Sequence, residues 1–309
     1  VAGSALALLV GCGKDAPAPR TDRASTRTTD TAAAASRTVP VDDRGWFAEA
    51  GPVLYLPSDA GTVRVVLPLV GDDSVPSPTA AVLPGAAAPA LVELFGPTGL
   101  VGRGSLGAFA ADGQTAPVPG CDAWPELPLR RDDAGSLRWR IGLVAGVAEA
   151  LALDSAETLA MRDSASLVRD IVRATASLTA DTAAAALARV PFNVLAAHRA
   201  RLPDSTELLL AVVERRINSE ADPRVERTTL VLERAPGARA HGVAWQERQF
   251  VSEDEVVSVE VLGALRLIRS RTPLVFLGLD FGDGTRIEVL ERTAPGTWRV
   301  RWSSAYTGC

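Results

Sequence analysis

From Phe192 onward the chain repeats one device, a β-prone run of about ten residues followed by a short turn signal. The runs fall near residues 192–201, 205–217, 225–234, 241–250, 255–268, 273–280, 285–292 and 297–304. Asp283-Gly284 has the form of a two-residue hairpin turn, and Ala235-Pro236-Gly237 and Ala294-Pro295-Gly296 are further turn signals. Eight consecutive strands on short turns predict an antiparallel up-and-down meander, closed as a barrel or arranged as propeller-like sheets. Residues 255–268 leave a helix open as well, because Val256, Val257, Val259, Val261 and Leu262 mix the two periods.

The upstream half reads differently. Val53–Leu56, Thr62–Val70, Ala90–Phe95, Leu100–Ser105 and Ser136–Val144 are short strand candidates, and residues 72–88 and 111–135 are Pro- and Gly-rich and read as loop. Gly96-Pro97-Thr98-Gly99 predicts a hairpin. Leu167, Val168, Ile171, Val172 and Leu178 then mark a helix face, with Asp163 or Ser164 as its cap. Asp154 and Glu157 can cap a shorter helix before it, and Thr182–Val190 forms another that Pro191 stops. The expected fold class is mainly β (α+β). Its parts are a small β-subdomain over 46–150, a helical insert over 151–190 and the meander over 191–309. A hydrophobic content of 47% supplies a core for this body, and the net charge of -5 argues against a nucleic-acid partner.

Residues 1–11 are an uncharged apolar run, about 16 Å long as a helix and too short to span a bilayer. It has the size of a signal-peptide h-region, and the missing positively charged segment before it leads us to expect a truncated or misassigned start. Leu9-Val10-Gly11-Cys12 resembles the lipobox of bacterial lipoproteins. The resemblance implies cleavage before Cys12, acylation of its thiol and export to the cell envelope. Gly13 in place of Asp implies the outer membrane if the host has two membranes. Residues 12–45 then form the lipidated end and a flexible tether, with almost no large apolar side chain to order it. Lipidation of Cys12 leaves Cys121 and Cys309, and export places them where a disulfide can persist. We therefore expect those two to pair.

Motifs for chemistry are sparse. Gly102-Arg103-Gly104-Ser105-Leu106-Gly107 matches the dinucleotide glycine pattern, but no helix can start within it to hold a pyrophosphate. The same stretch fails as a nucleophile elbow because Arg103 stands where glycine is needed. His198 and His241 fall on expected strands, as strand-face or surface residues rather than general bases. Residues 273–309 weakly resemble one FG-GAP/VCBS-type propeller repeat, through Asp280-Phe281-Gly282-Asp283-Gly284 and Trp298-Arg299-Val300-Arg301-Trp302. The calcium-ligand positions of that repeat fall on Leu279 and Phe281, which carry no oxygen, so no metal or other cofactor is expected. Trp298 and Trp302 fall on one face of an ideal strand, where they form core or stack on a sugar ring, and Asp280 lies beside the turn as a further ligand contact. Glu253-Asp254-Glu255 reads as a solvated acidic tip.

The sequence thus predicts a protein tied to the envelope membrane through acyl chains on Cys12. Its expected role is binding, scaffolding or assembly without catalysis, with an envelope protein or a glycan as partner. The alternative is an envelope hydrolase using carboxylates such as Asp280 or Glu247.

Overall fold

The computed structural model describes residues 53–55, 62–66, 91–107, 124, 126–131, 139–178, 187–217 and 223–308. The expected signal segment, the tether, Cys12, Cys121 and Cys309 lie outside them, as does most of the expected helix over 182–190. The described part is mostly antiparallel β, as the sequence predicts, with one α-helix. Its strands build three layers.

The first layer is a closed six-stranded barrel. Its strands are β1 (Val53–Tyr55), β2 (Thr62–Val66), β3 (Leu91–Gly96), β4 (Gly99–Leu106), β5 (Glu126–Arg131) and β6 (Ile141–Val144). They run in the order β1-β2-β5-β4-β3-β6, with β6 pairing back to β1. Leu54, Val63, Val65, Val92, Leu94, Leu106, Leu127 and Trp139 form its apolar cluster. β5 corrects the expectation of a loop over 111–135: Glu126-Leu-Pro-Leu-Arg-Arg pairs with both β2 and β4 despite Pro128. The glycine pattern at 102–107 also finds its reason here. A Cβ on Gly104 would lie 2.7 Å from the Arg130 carbonyl oxygen, so glycine lets β4 and β5 approach closely.

The eight C-terminal strands form within a few residues of the expected positions. They are β9 (Asn193–Arg201), β10 (Glu207–Ile217), β11 (Arg224–Arg234), β12 (Gly242–Ser252), β13 (Ser258–Leu267), β14 (Pro273–Asp280), β15 (Gly284–Ala294) and β16 (Thr297–Ser303). The helical option for 255–268 is not taken, apart from a short 3-10 turn at Glu253–Glu255. The strands divide into two open sheets, each a four-strand meander, while the closed barrel lies upstream. Two short strands join them from before the helix. β7 (Ala148–Ala150) pairs with β13, and β8 (Asp154–Ser155) pairs with β9. β17 (Thr307–Gly308) pairs with β15. A middle sheet therefore runs β16-β15-β14-β13-β7, and an outer sheet runs β12-β11-β10-β9-β8.

The middle sheet is covered on both faces. One face joins Leu274, Phe276, Ile287, Val289 and Trp302 to Phe95, Trp124, Ile141 and Leu143 of the barrel side. The other joins Val275, Leu277, Leu290 and Trp298 to Leu208, Leu210 and Val231 of the outer sheet. Helix α1 (Met161–Ala176) covers the far face of the outer sheet, packing Leu167, Ile171 and Ala174 on Leu209, Ala211, Val213, Leu230 and Leu232. This layering explains why β10 and β14 read as continuous apolar runs without alternation. The helix starts earlier than expected: Ala160 is its N-cap, without a side-chain cap bond, and Asp163 and Ser164 lie within it. Before it, Ser155 rather than Asp154 caps a 3-10 turn at Ala156–Thr158.

Candidate functional site

The space between the middle and outer sheets holds a buried glutamate at each end. At one end Glu233 of β11 is 7% exposed and accepts from Arg292 Nε at 2.7 Å, Arg292 Nη2 at 2.8 Å, Gly296 N at 2.8 Å and Trp298 Nε1 at 2.5 Å. Arg292 also reaches Asp204 Oδ2 at 2.7 Å. At the other end Glu214 of β10 accepts from Arg216 and Arg227, and Arg227 continues to the Val257 carbonyl before β13. Burial pushes the Glu214 carboxyl up, but the bonds from Arg227 and Arg216 outweigh it and hold it below the usual range. These two glutamates close the ends of the sandwich. Every charge in them has a partner, which suits a fastening role.

A third group is not satisfied in this way. Glu288 of β15 shares the outer-sheet side of its strand with Leu290, and pairs with Leu277 and Ser303. Its Oε1 accepts from Ser303 Oγ at 3.2 Å, while its Oε2 is buried with no hydrogen-bond partner. Burial first, and the Glu247 charge second, raise its carboxyl above the usual range. Glu247 is raised by burial too, and sits on β12 opposite Thr229, on the side facing the middle sheet. The Glu247 charge reaches Glu288 across the space between the two sheets.

The residues singled out from sequence have these places. Trp298 and Trp302 do not share a face. β16 carries one extra residue, Arg301, between the pairs Val289–Trp302 and Leu290–Val300. Trp298 therefore packs against the outer sheet and Trp302 against the barrel side, with exposures of 4% and 6%. A sugar cannot stack on both, so the paired ligand-contact reading is withdrawn. Asp280 lies on the barrel-facing side of β14, in phase with Leu274 and Phe276, and its Oδ1 accepts from Gly282 N at 2.9 Å in the hairpin. It thus stands on the opposite side of the middle sheet from Glu288 and Glu247. The positive φ of that hairpin belongs to Gly282, not Gly284, whose hydrogen-only side chain instead admits the Tyr306 ring. Leu279 is core and Phe281 is half-exposed.

His198 lies on β9, with its Nδ1 buried and without a hydrogen-bond partner. The His241 ring is almost wholly buried, 3.5 Å from Asp170 Oδ2 of α1 and 3.9 Å from Glu207 Oε1 of β10. Burial first, with Arg234, lowers its proton affinity below the usual imidazole range against the opposing pull of Glu207 and Asp170. The acidic tip at 253–255 is fastened: Ser252 and Glu255 form a capping box, and Glu253 accepts from Arg216 Nη1 at 2.8 Å. Among the described residues, no group of three or more His, Cys, Asp or Glu side chains could hold a metal, and no helix is long and apolar enough to cross a membrane.

The remaining feature is β12 itself. It pairs with β11 from Gly242 to Ser252, with Ala244 as an extra residue, and, among the described residues, has no strand on its other side. Sequence reasoning found the strand but not its edge position, since pairing order is not carried by alternation. No protein-family model, curated protein or solved structure matches this chain.

Proposed function

We propose that this chain is a lipid-anchored cell-envelope protein whose folded body works as a non-catalytic assembly module. The observation that supports the module is β12, eleven residues long, which among the described residues has no strand on its outer side and belongs to a sheet packed on both faces. An edge strand offers a row of unpaired N–H and C=O groups, the chemistry that recognises an extended peptide. The inward carboxylate of Glu247 on this edge disfavours indiscriminate pairing with other edges. We take the partner to be an extended segment of another envelope protein. The lipobox-like Leu9-Val10-Gly11-Cys12 supports the anchor.

Both halves are testable in cells. Intact mass of the exported protein should give a chain that starts at Cys12 and carries acyl chains, and Cys12→Ser should release it from membranes or leave it unprocessed. A photo-crosslinker at exposed Gln246 on β12 should trap a peptide segment that one at exposed Arg239 does not, with slowed amide exchange confined to β12. Equal trapping at both positions, or a glycan as the only adduct, would overturn the docking half.

A second reading rests on Glu288 and Glu247. A buried carboxyl that holds its proton more tightly than usual can serve as a general acid, with a second carboxyl nearby as its counterpart. Under this hydrolase reading Glu288→Gln abolishes turnover while the protein stays folded; full activity in that variant would end it.

A further inference from the structure

Glu247 lies in the middle of β12, half-buried, and among the described residues no cation or hydrogen-bond donor meets its carboxylate. The arginines nearest to it are committed elsewhere. Arg248, next in sequence, bonds Glu226 through Nε at 2.8 Å, and Arg227, on the neighbouring strand, bonds Glu214. Across the gap β15 presents Glu288 and, two residues earlier on the same side, Arg286. Arg286 brings a positive charge to bear on Glu288, but more weakly than Glu247 brings a negative one. Its Nε is buried without a hydrogen-bond partner, as is Glu288 Oε2. The gap behind the β12 edge thus sets two carboxyls against one guanidinium and is short of one positive charge.

A segment added to β12 would continue the pleat of the sheet. Residues directly opposite each other share a face, with Cβ atoms about 4.5–5.5 Å apart. The residue opposite Glu247 therefore points inward beside it, and those opposite Trp245 and Gln249 follow at a spacing of two. A second copy of β12 cannot supply the missing charge. A two-fold antiparallel pair sets inward residues against inward residues, and from 245 to 251 these are Trp245, Glu247, Gln249 and Val251.

We propose that the segment docking on β12 carries a Lys or Arg opposite Glu247, whose charged group enters the gap between the sheets and pairs with Glu247 and Glu288. This rests on the edge-docking reading above and names the chemistry of its partner. An apolar strand laid over Glu247 would deepen its burial and leave the charge uncompensated, whereas a matched cation offsets that cost. The carboxylate that turns away ordinary edges is then the one that admits the right segment.

The test uses the full chain with a photo-crosslinker at Gln246 and a displayed library of random nonapeptides, so that peptides lying on β12 are captured covalently. Captured peptides should share a Lys or Arg at one position. Glu247→Gln should still capture peptides but without that preference. Glu157→Gln, which removes the same charge from the exposed turn before α1, should keep it. A captured peptide remade with norleucine for its cation should bind the parent about tenfold more weakly, the scale of a hydrogen bond to a charged group. On Glu247→Gln the two peptides should bind alike. Captured peptides without a shared cation, or a preference that survives Glu247→Gln, would overturn the pairing and leave the docking reading intact. Capture no greater at Gln246 than at Arg239, or a dimer of the chain that blocks β12, would overturn the docking reading and the pairing with it.

Discussion

Trp298 donates its indole N–H to Glu233 across the two sheets at 2.5 Å, joining β16 of one to β11 of the other. A tryptophan that the sequence allowed as a sugar platform is instead one arm of a buried fastening. Arg292, Gly296 and Trp298 converge on this one carboxylate.

Removing that carboxylate should be costly. Breaking a buried ion pair from one side leaves an uncompensated charge, at about 3–5 kcal/mol. Glu233→Ala should lose stability on that order, partly relieved because Arg292 keeps Asp204. Trp298→Phe should lose less, on the order of 1 kcal/mol from the hydrogen bond. Urea unfolding of the three proteins orders them, and a Glu233→Ala midpoint equal to the parent would contradict the assignment.

Glu288 should behave in the opposite sense. Its folded carboxyl binds its proton more tightly than the unfolded one, so its contribution is full below the ordinary carboxylate range. That contribution is lost as pH rises through the folded value. Glu288→Gln should therefore raise the melting temperature at neutral pH, and the gain should shrink as the medium is acidified. A loss of stability at neutral pH would show that the ionised form is favoured in place.

His241 sets an acid limb. Its folded affinity for a proton is lowered, so the unfolded chain takes up more protons as pH falls through the imidazole range. Stability is complete above the ordinary imidazole range and declines on acidification. His241→Phe should flatten the dependence of the melting temperature between about pH 7 and 5. An unchanged slope would assign that limb to other groups, His198 first, since burial lowers it too.

Gly104→Ala tests the reading of the glycine pattern. Its added methyl would meet the Arg130 carbonyl at 2.7 Å, a backbone atom that cannot swing aside. Overpacking of this kind costs about 1–3 kcal/mol. A neutral effect in thermal melts would mean that β4 and β5 part at no cost.

Individual strands were legible, because eight apolar runs and their turn signals sit within a few residues of the eight observed strands. Their division into two sheets was not. In β10 and β14 both faces are buried, so no alternation marks which face meets which neighbour. β5 was hidden by Pro128 and by the Gly- and Pro-rich sequence before it. In the candidate site Glu247 drew notice from sequence, while Glu288 did not. Its signal was a lone carboxylate inside the apolar stretch Ile287-Glu288-Val289-Leu290, which gains meaning only when a second sheet lies over it.

The extra residue at Arg301 sets the phase of everything that follows in β16. Upstream of it the strand turns an indole towards Glu233; downstream it turns Trp302 to the barrel side and Ser303 to Glu288. Deleting that one residue would shift parity by one, putting the Ser303 hydroxyl on the barrel side and the Trp302 indole beside Glu288. A single inserted position thus keeps two separate cores supplied from one strand, and the spacing of the two tryptophans is meaningful only when it is counted through the bulge.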